Sequence, residues 1–146
     1  MKKIVLIIFI LFNLSTFSQE INHSLLDKLT KISFLSIDEF ITEGYGFTKI
    51  KSESNLKKRA YARDYSGNPK KTLFINVISS SDSPNGIEIY LENYDIRKIK
   101  DELLELGYDF NGLKNEFSVF KKEKKLYLIS KPNKFNITQI IIMSKW

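Results

Sequence analysis

The residues able to do chemistry in this chain are few, and their spacing decides what they are for. His23 is the single histidine of 146 residues and no cysteine accompanies it. A general base or metal ligand needs partners held rigidly around it, and neither a Cys nor a second His exists to supply them. His23 therefore reads as a solvent-exposed residue just ahead of a helix. Asp101, Glu102 and Glu105 fall near one side of a helical stretch that also carries Lys98 and Lys100, which describes a solvated face with i,i+4 neighbours. Asp82, Ser83 and Asn85 offer oxygens to a hard cation but lack the ordered acidic spacing and bidentate Glu of a calcium loop. There is no nucleophile elbow, phosphate-cradling loop or dinucleotide fingerprint. The expectation is no catalytic residue, no metal and no cofactor.

Two basic stretches stand out, Lys57-Lys58-Arg59 with Arg63, and Lys121-Lys122 with Lys124-Lys125. Acidic Asp64, Glu116 and Glu123 lie beside them, so a nucleic-acid surface is not expected. They read as hairpin ends and edge-strand lysines that discourage aggregation.

The more informative pattern is alternation. Leu73, Ile75 and Val77 interleave with Phe74 and Asn76, and Ile87, Ile89 and Leu91 with Glu88 and Tyr90. This is the period of an antiparallel strand with one face on a core. If the aliphatic set meets helices, Phe74, Asn76, Glu88 and Tyr90 form the opposite face, and by analogy Tyr61, Arg63, Phe120 and Tyr127 join them. Aromatic side chains and Arg are enriched at the energetic centres of interfaces. These eight residues are the candidate binding surface.

The elements that must position them follow from periodicity. Ser36-Ile37-Asp38-Glu39 has the capping-box pattern, with Gly44 as a stop, and predicts a helix over 37–43. Ile96, Ile99, Leu103, Leu104 and Leu106 recur at helical spacing between Asp95, a candidate N-cap, and Gly107. Leu25, Leu26, Leu29 and Ile32 behind Ser24 predict a leading helix over 25–32. Both later helices run into similar corners, Gly44-Tyr45-Gly46-Phe47 and Gly107-Tyr108-Asp109-Phe110. Three strands are expected after each: 58–64, 71–79 and 86–92, then 116–122, 125–131 and 136–143. The predicted fold class is α+β, an antiparallel sheet with helices on one face, built by tandem duplication of a helix plus three-strand unit with pseudo-repeats at about 36–93 and 95–145.

The amino terminus carries an address. Met1-Lys2-Lys3, the apolar run Ile4 to Phe12 and small residues before Gln19 have the three-part architecture of a signal peptide over 1–18. A single domain over 19–146 remains. Losing Lys2 and Lys3 brings the net charge from +6 to +4, too weak a field for a polyanion partner. The Lys-, Asn- and Ile-rich, cysteine-free composition fits a bacterial periplasmic or secreted protein.

In outline, a doubled helix-plus-sheet unit resembles the β-lactamase inhibitor proteins and the small outer-membrane assembly lipoproteins. The inhibitors' disulfides and the lipoproteins' acylated Cys are missing here, so no residue and no activity is carried over. The functional expectation is a non-enzymatic binding or inhibitor-like protein of the envelope, meeting a protein or glycan through the open sheet face, in one version an immunity-like protein for an acidic partner. Two alternatives stand beside it. One is a small hydrolase pairing Asp64 with Glu88 or Glu116 across a cleft; the other is a structural component self-associating through a sheet edge at 136–143.

Overall fold

A computed structural model describes residues 21–65, 71–80, 83–92 and 95–144. The expected leader lies outside the described residues. Three helices, α1 (His23–Lys31), α2 (Ile37–Tyr45) and α3 (Arg97–Glu105), accompany eight strands: β1 (Thr48–Lys49), β2 (Lys58–Tyr65), β3 (Lys71–Ser80), β4 (Ser83–Glu92), β5 (Asp109–Lys114), β6 (Phe117–Lys122), β7 (Lys125–Ser130) and β8 (Ile137–Ser144). The α+β class is as expected.

The strands form one sheet in the order β1-β2-β3-β4-β8-β7-β6-β5, every neighbouring pair antiparallel. Two four-strand meanders thus meet along β4 and β8, and α3 carries the chain from the centre of the sheet to its far edge. Each meander follows a helix, so the element order repeats. Each helix is followed by four strands instead of the expected three, because the short β1 and the edge strand β5 lacked an alternating signal.

The corners occupy equivalent places in the two units, but their structural match is shifted from the sequence echo. Gly46 and Gly107 both take the left-handed conformation, at φ 66° and 79°, and the residue after each, Phe47 or Tyr108, is buried. Glycine adopts that geometry without the Cβ penalty. Gly107 donates to Leu104 O and Tyr108 to Leu103 O, closing α3.

Helix starts also differ from expectation. Asn22, not Ser24, caps α1, its Oδ1 accepting from Leu25 N at 3.0 Å. Ser36 makes no side-chain cap bond at α2. Asp95 sits two residues before α3 and accepts from the backbone N and guanidinium of Arg97, a charge-assisted pairing that holds its carboxyl down at about 2.

A single buried cluster joins Leu25, Leu26 and Leu29 of α1, Ile37 and Ile41 of α2, and Ile99 and Leu103 of α3 to Leu73, Ile75, Val77, Ile87, Ile89, Leu91, Ile140 and Ile142 of the sheet. All three helices therefore cover the same face. β8, expected as an apolar edge, is instead central between β4 and β7; Ile140 and Ile142 of its apolar run are buried beneath the helices, and Ile141 faces the other side. The edges are β1 and β5. No helix among the described residues is long and apolar enough to cross a membrane.

Candidate binding surfaces

Register defines what lies on the face away from the helices. Ala60 pairs with Asn76, Asn76 with Glu88, Glu88 with Ile141, Ile141 with Leu128 and Leu128 with Val119. Directly paired residues share a face, so these six form one row across six strands. The next row runs Ala62, Phe74, Tyr90, Gln139. Beyond the first row on the other side lie Ile78, Met143 and Leu126.

None of the three helices lies over this face, and its middle is apolar. Val119, Leu128, Ile141 and Leu126 are half-buried by their neighbours alone, while Phe74, Ile78 and Met143 are 42%, 37% and 39% exposed. The flank toward β3 and β4 is polar and ordered. Asn76 Nδ2 donates to Glu88 Oε2 at 3.3 Å, and Gln139 Nε2 donates to the Tyr90 hydroxyl at 3.1 Å. Burial and then the neighbouring Glu88 carboxylate push the Tyr90 phenol up.

Four of the eight candidate residues are on this face: Phe74, Asn76, Glu88 and Tyr90. The other four are not, and their placement on the open face is corrected. Tyr61 pairs with Ile75, Phe120 with Tyr127, and Tyr127 with Ile142, so all three turn toward the helices and are 0–3% exposed. Arg63 pairs with Leu73 on that same side; its guanidinium lies 4.6 Å from the Phe47 ring centroid and donates to Tyr45 O at 2.6 Å. The analogy failed because alternation in β2, β6 and β7 sets aromatic and polar-tipped side chains on the covered side. The tips of Tyr61 and Arg63 are met by α2, through Asp38 and the Tyr45 carbonyl, which the strand sequence does not show.

Asp38 of α2 is the receiver for β2. It accepts from the Tyr61 hydroxyl at 2.6 Å and Lys49 Nζ at 2.9 Å, and its Oδ2 lies 2.8 Å from Arg59 Nη1. Burial works to raise the Asp38 carboxyl, but these hydrogen bonds and charges outweigh it and hold the group low. Arg59 also covers the Phe34 ring at 4.6 Å. The first basic stretch thus fastens α2 to the sheet, and neither β2 nor β6 is an edge.

The second basic stretch borders a cleft of about 480 Å³ between α1 and the β6–β7 turn, lined among others by His23, Asp27, Tyr108, Lys122 and Lys125. Asp27 of α1 accepts from Lys125 Nζ and, at 2.6 Å, from Lys31 Nζ. Burial raises its carboxyl, yet the two ammonium groups prevail and lower it. Lys122 Nζ donates to Leu106 O at 2.6 Å at the end of α3.

His23, expected at the surface, is half-buried here. Its Nε2 lies 3.2 Å from the Tyr108 hydroxyl, and its ring packs against Tyr108 and Tyr127 with centroids 5.6 and 5.9 Å away. Burial lowers the imidazole pKa, with the Lys125 charge adding to it against Asp27 and Glu102. Beneath it the Tyr127 hydroxyl is fully buried without a partner of good hydrogen-bond geometry. Burial and the adjacent Tyr108 push this phenol far above the ordinary range. Sequence reasoning missed this aromatic cluster because its members come from α1, the α3–β5 turn and β7; the sole signal was a histidine at an α1 position next to buried Leu25 and Leu26.

The remaining candidates are dispersed. Asn85 is buried and its Nδ2 donates to Leu29 O and Ile32 O, at 3.2 and 2.8 Å, so it closes the end of α1 instead of offering oxygens to a cation. Glu102 accepts from His23 N at 3.1 Å at the start of α1 and, with Asp101 and Glu105, lines a shallow groove of about 350 Å³. Asp64 pairs with Thr72 and Glu88 with Asn76; four residues along one strand is about 13 Å, wider than a glycosidase pair. Glu116 lies in the β5–β6 turn, across the sheet from both. Among the described residues no three His, Asp or Glu side chains converge as a metal site. No family model, no curated protein and no solved structure matches the chain.

Proposed function

We propose that this chain is an exported, non-enzymatic binding protein of a bacterial cell envelope that engages a protein through its uncovered sheet face. One observation carries the reading. An eight-strand sheet presents the row Val119, Leu128 and Ile141, flanked by Phe74, Tyr90 and Met143, with no helix over it among the described residues. Antiparallel sheets commonly leave one face to water, and that face is then polar. Here its centre is aliphatic and aromatic with hydrogen-bonded polar groups at the flank, which is the anatomy of a protein interface. A glycan platform would instead ask for exposed rings among hydrogen-bonding groups, and β6 to β8 supply aliphatic side chains.

The leader pattern over 1–18 supports export, and the repeated helix-plus-meander order supports an origin by duplication. The test is cross-linking in the envelope. A photoreactive side chain at Leu128 should join the chain to one protein species, and Tyr90→Ala or Val119→Lys should abolish that adduct while the same group placed at Leu35 of the helix side forms none. Equal capture from Leu35, or an adduct indifferent to both substitutions, would overturn the proposal.

A further inference from the structure

The exposed edge of β5 is chemically symmetric about its own centre. Its sequence is Asp109-Phe110-Asn111-Gly112-Leu113-Lys114: acid, apolar, Asn, Gly, apolar, base. Among the described residues no strand lies outside it, and five of its six residues are exposed. At the opposite end of the sheet, β1 is only two residues long, too short to template another strand. Edges of ordinary monomers are blunted by such shortness, by charge or by bulges. β5 is six residues long, and its charges are of both signs.

The phase of its side chains is unusual. Phe110 pairs with Phe120 and Leu113 with Ser118, so β5 holds one residue more than β6 between these pairs, and Gly112 takes φ 80° there. Three residues apart, Phe110 and Leu113 would point to opposite faces of a regular strand. The bulge brings both to the helix side, where they are 53% and 64% exposed. Asp109 and Lys114, paired with Lys121 and Phe117, both fall on the other side.

We infer that β5 is a self-pairing edge whose occupant is the β5 strand of a second copy, antiparallel, about a two-fold axis perpendicular to the sheet. That axis keeps the faces of both copies aligned and makes the interface isologous. Centred between Asn111 and Gly112, the pairing sets Asp109 opposite Lys114 of the second copy, Phe110 opposite Leu113, and Asn111 opposite Gly112, each pair on a common face. Without the bulge, residues an odd number apart could not meet this way. Two ion pairs and two apolar pairs then accompany the backbone bonds of a continuous sixteen-strand sheet. An edge charged to repel copies of itself would carry one sign; here opposite charges stand at equal distances from the centre.

Charge reversal tests it by sedimentation velocity over a concentration series. The native chain should show a monomer–dimer equilibrium. Asp109→Lys and Lys114→Asp each turn two attractions into two repulsions and should weaken self-association by about tenfold or more, with circular dichroism unchanged. Mixed together, the two variants should form a heterodimer, because every opposed pair is again of opposite sign. A native chain that stays monomeric throughout, or a dimer that both variants retain, or a mixture that does not pair, overturns the inference. Dimerisation abolished by Leu128→Lys but untouched at Asp109 would place the contact on the sheet face and equally overturn it.

Discussion

The Tyr61 hydroxyl donates to the Asp38 carboxylate at 2.6 Å, joining β2 to α2 across 23 residues of sequence. The same carboxylate pairs with Arg59 and Lys49, so one acid on a helix gathers three strand side chains. Two tyrosines, Tyr61 of β2 and Tyr127 of β7, are both fully buried on the helix side, and they differ in whether the hydroxyl has an acceptor. That difference sets the first two predictions.

Tyr61→Phe removes a hydrogen bond to a charged group and leaves Asp38 with its cations. The expected loss is about 1.5–3 kcal/mol in urea unfolding. In a double-mutant cycle with Asp38→Asn the losses should be less than additive, because both changes remove one interaction.

Tyr127→Phe deletes a buried hydroxyl that lacks a well-formed bond. Unfolding stability should stay within about 0.5 kcal/mol of the parent or rise, since a buried polar group without a partner costs folding energy. A loss as large as that for Tyr61→Phe would show that the hydroxyl is bonded after all.

His23 makes stability depend on acid. Its folded pKa lies below the ordinary value of 6.5, so between the two the unfolded chain binds more protons and stability falls as pH drops through that window. The contribution is fully present above the unfolded value. Unfolding midpoints measured from pH 7.5 to 5 should decline, and His23→Gln should flatten the decline specifically below about 6.5.

Ile140 and Ile141 are neighbours in β8 on opposite faces. Ile140 is 0% exposed against the helices, and Ile140→Ala should cost about 2–5 kcal/mol. Ile141→Ala, on the uncovered face, should cost about 1 kcal/mol or less. Similar losses at both positions in chemical denaturation would mean that the second face is covered as well.

Asn85→Ala leaves the carbonyls of Leu29 and Ile32 without their donor. A loss of about 1–3 kcal/mol is expected, with faster amide exchange at the end of α1 than elsewhere in that helix.

Local chemistry made much of the fold legible. Alternation in β3 and β4 is strict because both faces of those strands meet uniform surroundings, and it placed Phe74, Asn76, Glu88 and Tyr90 on the side where they stand. A left-handed glycine ends α3 at Gly107 as its corner suggested, whereas α2 runs through Gly44, the expected stop, to the left-handed Gly46 two residues on. The class of fold, the side of the sheet that the helices take and the β3–β4 flank of the candidate surface all follow from nearest-neighbour patterns of 2 and 3.6 residues.

Tertiary structure alone decided the rest. Tyr61, Arg63 and Tyr127 have polar tips and Phe120 is an aromatic that could serve either face, so their sequence period says nothing of whether helix or water meets them; Asp38, Tyr45 and the His23 cluster answer that from far along the chain. β8 is central and β5 an edge because α3 carries the chain from the central β4 to the far edge of the sheet, a choice of strand order that no local pattern encodes. The bulge that aligns Phe110 with Leu113 is likewise a matter of register against β6. Side-chain period is a property of a strand by itself, whereas order, register and partner belong to pairs of strands, and pairs exist only once the chain has closed on itself.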